Sequence, residues 1–377
     1  MEWKVPLFEP DLGSKEKQAL CDVIDSGWLT QGERTAQFER EFSAYIGSAH
    51  GIAVTNCTVA LHLALEALGI EVGDEVICPS LTFVATANAI RYCGAKPVFA
   101  DITSLQDWNI SKPTIEKVIT PKTKAIIVVH YAGYVCDMAP IMQLAAQHNL
   151  KVIEDVAHAP GASRKGKYAG TWGDAGCFSF FSNKNMTTGE GGMVVTDNPG
   201  LCQRTQRMRC HGMTSVTLDR HKGHNFSYDV VEKGFNYRMS ELNAAVGLVQ
   251  LEKLKVGNER RKEHVAYYRA CLSGSQNIGL PFLTNDSDAA FHIMPILLPE
   301  TADRVEVMTK LRDQQIQSSI HYRPIHTFEN YREQGLGASE DLTHTTVVGD
   351  RVLTLPLYPS MRNEQIEQVC DALIKAV

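Results

Sequence analysis

The sequence predicts an α/β protein with a mostly parallel central sheet, helices on both faces of it, and a smaller α+β C-terminal domain. Two observations carry this. Between residues 50 and 200, short β-branched apolar runs alternate with segments whose apolar residues recur at helical spacing, the order of βαβ units. Beyond residue 255 the chain becomes more charged and helical, then shows three separate strand-like runs, AFHIMPILLP, QSSIHYRPIH and VLTLPLYPSM. The 377 residues suffice for a large domain, placed at 1–255, and a small one at 256–377.

In chain order, SKEKQALCDVIDS (14–26) begins on serine and places Leu20, Val23 and Ile24 on one side, so a serine-capped helix is expected. Gly27 to Gly32 bound a turn, and Phe38, Phe42 and Ile46 give the next segment a helical stripe. Residues 52–69 run from a short strand through a polar turn into a helix starting near Thr58, whose free N–H groups and dipole suit a phosphate. No GxGxxG follows that strand, which argues against a dinucleotide. VICPSLTFVATANAIRYCGAKPVFADI repeats the strand, helix, strand order, and AIIVVHYAG (125–133) reads as a strand covered on both faces. Ser240 to Leu254 reads as an amphipathic helix that closes the large domain.

Two stretches carry the chemistry. Residues 173–196, GDAGCFSFFSNKNMTTGEGGMVVT, are two apolar runs joined by a polar, glycine-rich connection that holds a single lysine, Lys184. A lysine on a loop between buried strands is placed for Schiff-base chemistry, because apolar walls disfavour its ammonium and leave a nucleophilic amine near neutral pH. A surface lysine on a glycine turn would have the same local pattern. The second stretch, KVIEDVAHA (151–159), is a buried strand that ends on Glu154 and Asp155, and ligands of α/β sheets sit beyond such strand ends. A carboxylate there pairs with the pyridinium nitrogen of pyridoxal 5'-phosphate (PLP) and keeps the ring an electron sink. An acid ending a strand, followed by a lysine in SFxxxKxxxxGEGG, is far more specific than either alone.

The pairing resembles the DegT-like nucleotide-sugar aminotransferases, a branch of the fold-type I PLP enzymes, and the likeness runs along nearly the whole chain. The resemblance implies that Lys184 and Asp155 are catalytic and that Thr58, Val59 and Ser179 hold the cofactor phosphate. It implies that Phe83 stacks on the ring and that Asn236, in GFNYRM, reaches the phosphate of a partner subunit's cofactor in a homodimer with shared active sites. Cys57 stands where many members have glycine. His158 stands where many have glutamine near the ring's phenolic oxygen, and a histidine is expected to titrate near neutrality. The family likeness puts Trp28 and Thr30, on the GWLTQG turn, beside the sugar, and puts His321 and Tyr322, from HYxPxH, at the mouth of the site. Each also has a plain structural reading: Trp28 in an inter-helix core, Phe83 at a loop-to-helix junction, the HYxPxH residues as scaffold.

Composition narrows the partners. The net charge of -6 without any basic block argues against nucleic acid and anionic membrane. No apolar run spans a bilayer and MEWKVPLFEP lacks the core of a signal peptide, so a cytoplasmic location is expected. The ten cysteines show no CxxC and read as reduced thiols. His211, His221 and His224 have no adjoining acids and read as a solvated loop rather than a metal site. The expected reaction is transfer of an amino group from an amino acid, L-glutamate, to a 4-keto-6-deoxy nucleotide sugar, for an amino sugar of a polysaccharide, glycan or secondary metabolite. The Trp-x-Thr-x-Gly turn selects carbon 4 on the family pattern. A 3-keto or non-nucleotide sugar and a non-catalytic DegT-like regulator are the alternatives. A dehydratase branch would replace Lys184 with histidine, and a regulator would dispense with Lys184 or Asp155.

Overall fold

The computed structural model describes residues 3–214, 228–275, 277–336 and 342–377. Seven strands build the central sheet: β1 (His50–Val54), β2 (Glu75–Pro79), β3 (Lys96–Ala100), β4 (Thr123–Val129), β5 (Lys151–Asp155), β8 (Ala175–Ser179) and β9 (Gly192–Thr196). The order is β1-β9-β8-β5-β4-β2-β3, and only β9 runs antiparallel to its neighbours. A two-stranded hairpin, β6 (Ser163–Arg164) and β7 (Lys167–Tyr168), lies between β5 and β8. The expected mostly parallel α/β sheet is the observed one.

β4 shows why a central parallel strand reads as an unbroken apolar run: every residue from Ala125 to Val129 is buried. It ends at Val129, short of the sequence expectation, because Tyr131–Gly133 turn into a 3-10 helix with Ala132 at φ 55. Alternation along the strands decides which face each residue serves. On β5 and the chain leaving β8, Val152, Phe178 and Phe180 join one core, whereas Ile153 and Cys177 join the opposite one. On the first face, helix α2 (Glu33–Ile46) sets Phe42 edge-on against Phe178 at 4.9 Å and Phe38 against Phe180 at 5.3 Å. Each ring buried this way stabilises the fold by about 1.5–3 kcal/mol. On the second face lies helix α3 (Cys57–Ala67).

Several expected boundaries move. Helix α1 (Ser14–Ser26) is capped by Gly13, whose N–H donates to the Glu16 carboxylate at 2.8 Å, so Ser14 lies inside the first turn. Helix α3 starts at Cys57 because Asn56 caps it, its Oδ1 accepting the Val59 N–H at 3.0 Å. The helix expected to stop at Leu254 is one rod, Glu241–Leu272, that passes residue 255 without a break.

The C-terminal layer pairs β10 (Met294–Leu297) with β11 (Val352–Leu355) and adds helices Arg304–Asp313 and Asn363–Ala376. QSSIHYRPIH, expected as a strand, makes only the bridge Ser319 to Thr354. The N-terminal segment, grouped by sequence with the large domain, packs here instead: Val5 bridges Ile316 and is fully buried in the C-terminal core. His211 is an exposed residue in a left-handed turn at φ 62, and His221 and His224 lie outside the described residues.

Candidate active site

The carboxyl ends of β5 and β8 open, with the start of α3, onto a cavity of about 410 Å³, a size suited to a cofactor and part of a substrate. Lys184, Asp155, Thr58, Phe83, His158, Ser179, His321 and Tyr322 all line it, although they come from five separate stretches of the chain.

Asp155 ends β5 on the α3 face. Its oxygens accept the Thr86 hydroxyl at 2.9 Å and the Ala157 N–H at 3.1 Å. Burial pushes its carboxyl above the usual range, and those two bonds and the Lys184 charge only partly oppose this. Glu154, one residue earlier, faces the other way. It accepts the N–H groups of Gly170, Trp172 and Gly173 and the Nε2–H of His130, which ties down the 170–173 loop and leaves it no part in the cavity.

Lys184 sits on the loop between β8 and β9, part-buried at the cavity wall. Burial lowers its ammonium to about 8, with Asp155 opposing. The loop is pressed close to the α3 turn: a Cβ on Gly192 would stand 2.5 Å from the Asn56 carbonyl carbon, so only glycine fits there. The N–H groups of Cys57 and Thr58 are left at the open end of α3, a ready-made anion site. Val59 differs from expectation, since its N–H belongs to the Asn56 cap and it does not line the cavity. Burial raises the Cys57 thiol well above its ordinary value, so it stays neutral.

His158 also departs from expectation. It does not titrate near neutrality, because burial first and the Lys184 charge second hold it well below the ordinary imidazole range. Its Nδ1 accepts the Ala132 N–H at 3.3 Å, so Nε2 carries the proton and donates to the Tyr322 hydroxyl at 2.8 Å. The Tyr322 proton is thereby left for an acceptor in the cavity. Phe83 and Phe181 stand at the mouth, 57% and 44% exposed.

Besides Val59, three expected site residues do not line this cavity: Trp28, Thr30 and Asn236. They belong to one block on another part of the chain. Glu241, 3% exposed, accepts the N–H groups of Gly32, Arg34 and Thr35 and the Thr35 hydroxyl, while its own N–H donates to the Leu29 carbonyl. This fixes the 27–32 turn to the segment that carries Asn236. Residues not singled out from sequence are Thr82, Asn183 and Asn56, which line the cavity, and His292, whose Nε2 lies 3.5 Å from Lys184 Nζ. A histidine inside the apolar run AFHIMPILLP was their one legible signal.

These residues fit PLP. Asp155 is a buried carboxyl whose hydrogen bonds come from neutral donors, so a protonated ring nitrogen would offset its desolvation. The α3 N–H groups and Ser179 suit its phosphate, and Lys184 its aldehyde. The comparison with known proteins agrees. Residues 10–374 match the model of the DegT/DnrJ/EryC1/StrS aminotransferase family. The chain belongs to that family. It is 38% identical over 374 residues to the spore coat polysaccharide biosynthesis protein SpsC of Bacillus subtilis, covering 98% of this chain and 96% of SpsC. It is 40% identical over 375 residues to the GDP-perosamine synthase of Escherichia coli O157:H7, covering 98% and 97%. The PLP form of the putative sugar aminotransferase Spr1654 from Streptococcus pneumoniae superposes with a TM-score of 0.89 at 28% identity, over 99% and 98% of the two chains. This DegT-family protein is therefore a PLP-dependent sugar aminotransferase of polysaccharide or secondary-metabolite sugar biosynthesis. No helix among its described residues is long and apolar enough to cross a membrane.

Proposed function

We propose that the enzyme moves the amino group of an amino acid, L-glutamate, onto carbon 4 of a 4-keto-6-deoxy nucleotide sugar. The observation that carries the mechanism is Lys184 and Asp155 in one cavity at the sheet's carboxyl edge. PLP, when bound, supplies the carbonyl that captures an amine and the ring that takes up the electrons released by deprotonation. Asp155 would hold the proton on its ring nitrogen, and Thr58 and Ser179 would hold its phosphate. Lys184 would be the residue that holds the cofactor's carbonyl carbon, and its Nζ would be the base and acid that moves a proton at the reacting carbons. An amine lowered to about 8 suits both tasks near neutral pH.

The nucleotide-linked sugar is supported by the GDP-perosamine synthase relative, and carbon 4 by the Gly27-Trp28-Leu29-Thr30-Gln31-Gly32 turn. A residue beside the sugar sets which carbon approaches the amine, and a shift of about 1 Å costs on the order of a hundredfold in rate. Incubation with glutamate and either a 4-keto or a 3-keto nucleotide sugar, followed by NMR of the product, tests this. The expected product carries nitrogen at carbon 4. Amination at carbon 3 alone would overturn the carbon assignment and leave the aminotransferase standing.

The site is shared across a homodimer on this reading. Lys184 is the one lysine or arginine among the described residues lining the cavity, yet a donor carboxylate and a nucleotide diphosphate both need cations. The block with Trp28, Thr30 and Asn236 is tied together through Glu241 and does not line its own chain's cavity, as expected of a part delivered to a partner's site. Mixing Lys184→Ala with Asn236→Ala chains, with subunit exchange confirmed, is expected to restore activity through heterodimers holding one intact site. A mixture no more active than the separate variants would contradict sharing.

A further inference from the structure

Behind Lys184, a line of amide groups ends on backbone carbonyls that can only accept hydrogen bonds. Asn258 Nδ2 donates to the Pro160 carbonyl at 2.9 Å, which turns Asn258 Oδ1 toward Asn185. Asn185 Nδ2 donates to that Oδ1 at 2.7 Å and to the Ala290 carbonyl at 2.7 Å. Both its protons are thus committed, and Asn185 Oδ1 can only accept. His292 Nδ1 lies 2.9 Å from it and must carry the imidazole proton. The other ring nitrogen, Nε2, is left with a bare lone pair, 3.5 Å from Lys184 Nζ.

We propose that His292, its tautomer fixed by Asn185 and Asn258, is a positioning residue that accepts a hydrogen bond from Lys184 and turns the amine's own lone pair into the cavity. The proposal rests on Lys184 being the cofactor-bearing lysine. His158 cannot do the same: its ring lies 4.4 Å from that of His292, tilted by 39°, but its Nε2 is the protonated nitrogen and serves Tyr322. The lone pair on His292 persists because the ring stays neutral. It is 4% exposed, and the groups that face it are cationic or neutral: Lys184, Arg261, His158 and His321. Burial foremost, then these neighbours, hold it well below the ordinary imidazole range. Asp155, Cys57 and Tyr322 face the cavity from the other walls. A lysine that donates one N–H backwards presents its lone pair forwards, which is what attack on a carbonyl requires.

Two measurements test this. In the unmodified full-length protein without cofactor, ¹⁵N NMR of the His292 ring is expected to show a protonated Nδ1 and a bare Nε2 from pH 6 to 9, and the opposite tautomer would overturn the proposal. The second follows the rate at which the visible absorbance appears when PLP is added to cofactor-free His292→Gln and His292→Asn chains. Glutamine places its Oε1 near the lost Nε2 and can still accept from Lys184. Asparagine reaches only the Nδ1 position and satisfies Asn185 alone. Positioning predicts that the glutamine variant loads within about threefold of the wild type and the asparagine variant about tenfold more slowly, the size of one ordinary hydrogen bond. A structural role for the amide line predicts the reverse order. Equal loading in the two variants, fast or slow, or faster loading by the asparagine variant, would overturn the proposal. Loading of a Lys184→Ala chain would instead overturn the assignment of Lys184, a separate result.

Discussion

Lys184→Ala is expected to give a folded protein that neither develops the visible absorbance of bound PLP nor transfers an amino group. The side chain is part-buried at the cavity wall, and the turn that carries it is fixed independently of it. Thr188 N–H donates to Phe180 O, Asn243 Nδ2 donates to Thr188 O, and Gln250 Oε1 accepts the Thr187 N–H. Truncation therefore removes the amine and leaves the loop. Loss of a positioned acid–base group alone costs about 10²–10⁴-fold, and the covalent anchor is lost with it, so turnover falls by at least about 10⁴-fold. In the wild type, loading with PLP should speed up as the pH rises through about 8 and level off above it. The direction follows from the shift: below that value Lys184 is an ammonium without a lone pair, and above it the neutral amine predominates. Absorbance spectra and a stopped-flow pH series check both statements. Transamination by the variant would contradict the assignment.

Asp155→Asn is expected to keep some PLP and to lose at least about a hundredfold in rate. A charge-assisted hydrogen bond is worth about 1.5–3 kcal/mol, and each 1.4 kcal/mol is tenfold. A neutral amide accepts less strongly and cannot balance a ring cation while negative charge develops on the substrate carbon. Glu154 offers no rescue. It points to the opposite face of β5, where three backbone N–H groups and His130 already occupy its oxygens. Single-turnover kinetics with glutamate read the loss directly. Rates within a few-fold of the wild type would show that the ring nitrogen does not face Asp155.

The legible part of the site was its two strand ends. An acid closing a buried strand and a lysine before GEGG are local signals, because a strand's alternation and a parallel sheet's carboxyl edge together dictate where such residues face. Helix α3 was legible for the same reason, with an error of one residue at its start because Asn56 supplies the cap. The rest depended on pairings between distant segments. Nothing near Gly32 announces Glu241, and nothing near Lys184 announces His292, which reaches it from 108 residues away. The protonation of His158 is hidden from the sequence for a related reason. Residue type suggests an ordinary imidazole, and only the packing of Tyr322 and His292 around it shows how deeply it is buried. The domain boundary blurred because a 32-residue helix carries the chain across it, and a continuous helix has no composition break to read.

The central claim is that the cofactor is held on Lys184. Borohydride reduction of the PLP-loaded protein fixes the carbon–nitrogen bond, and proteolysis with mass spectrometry then locates it. The pyridoxyl group is expected on the peptide containing SNKNMTTGEGG, at Lys184. A pyridoxyl group on any other lysine, with Lys184 unmodified, would contradict it.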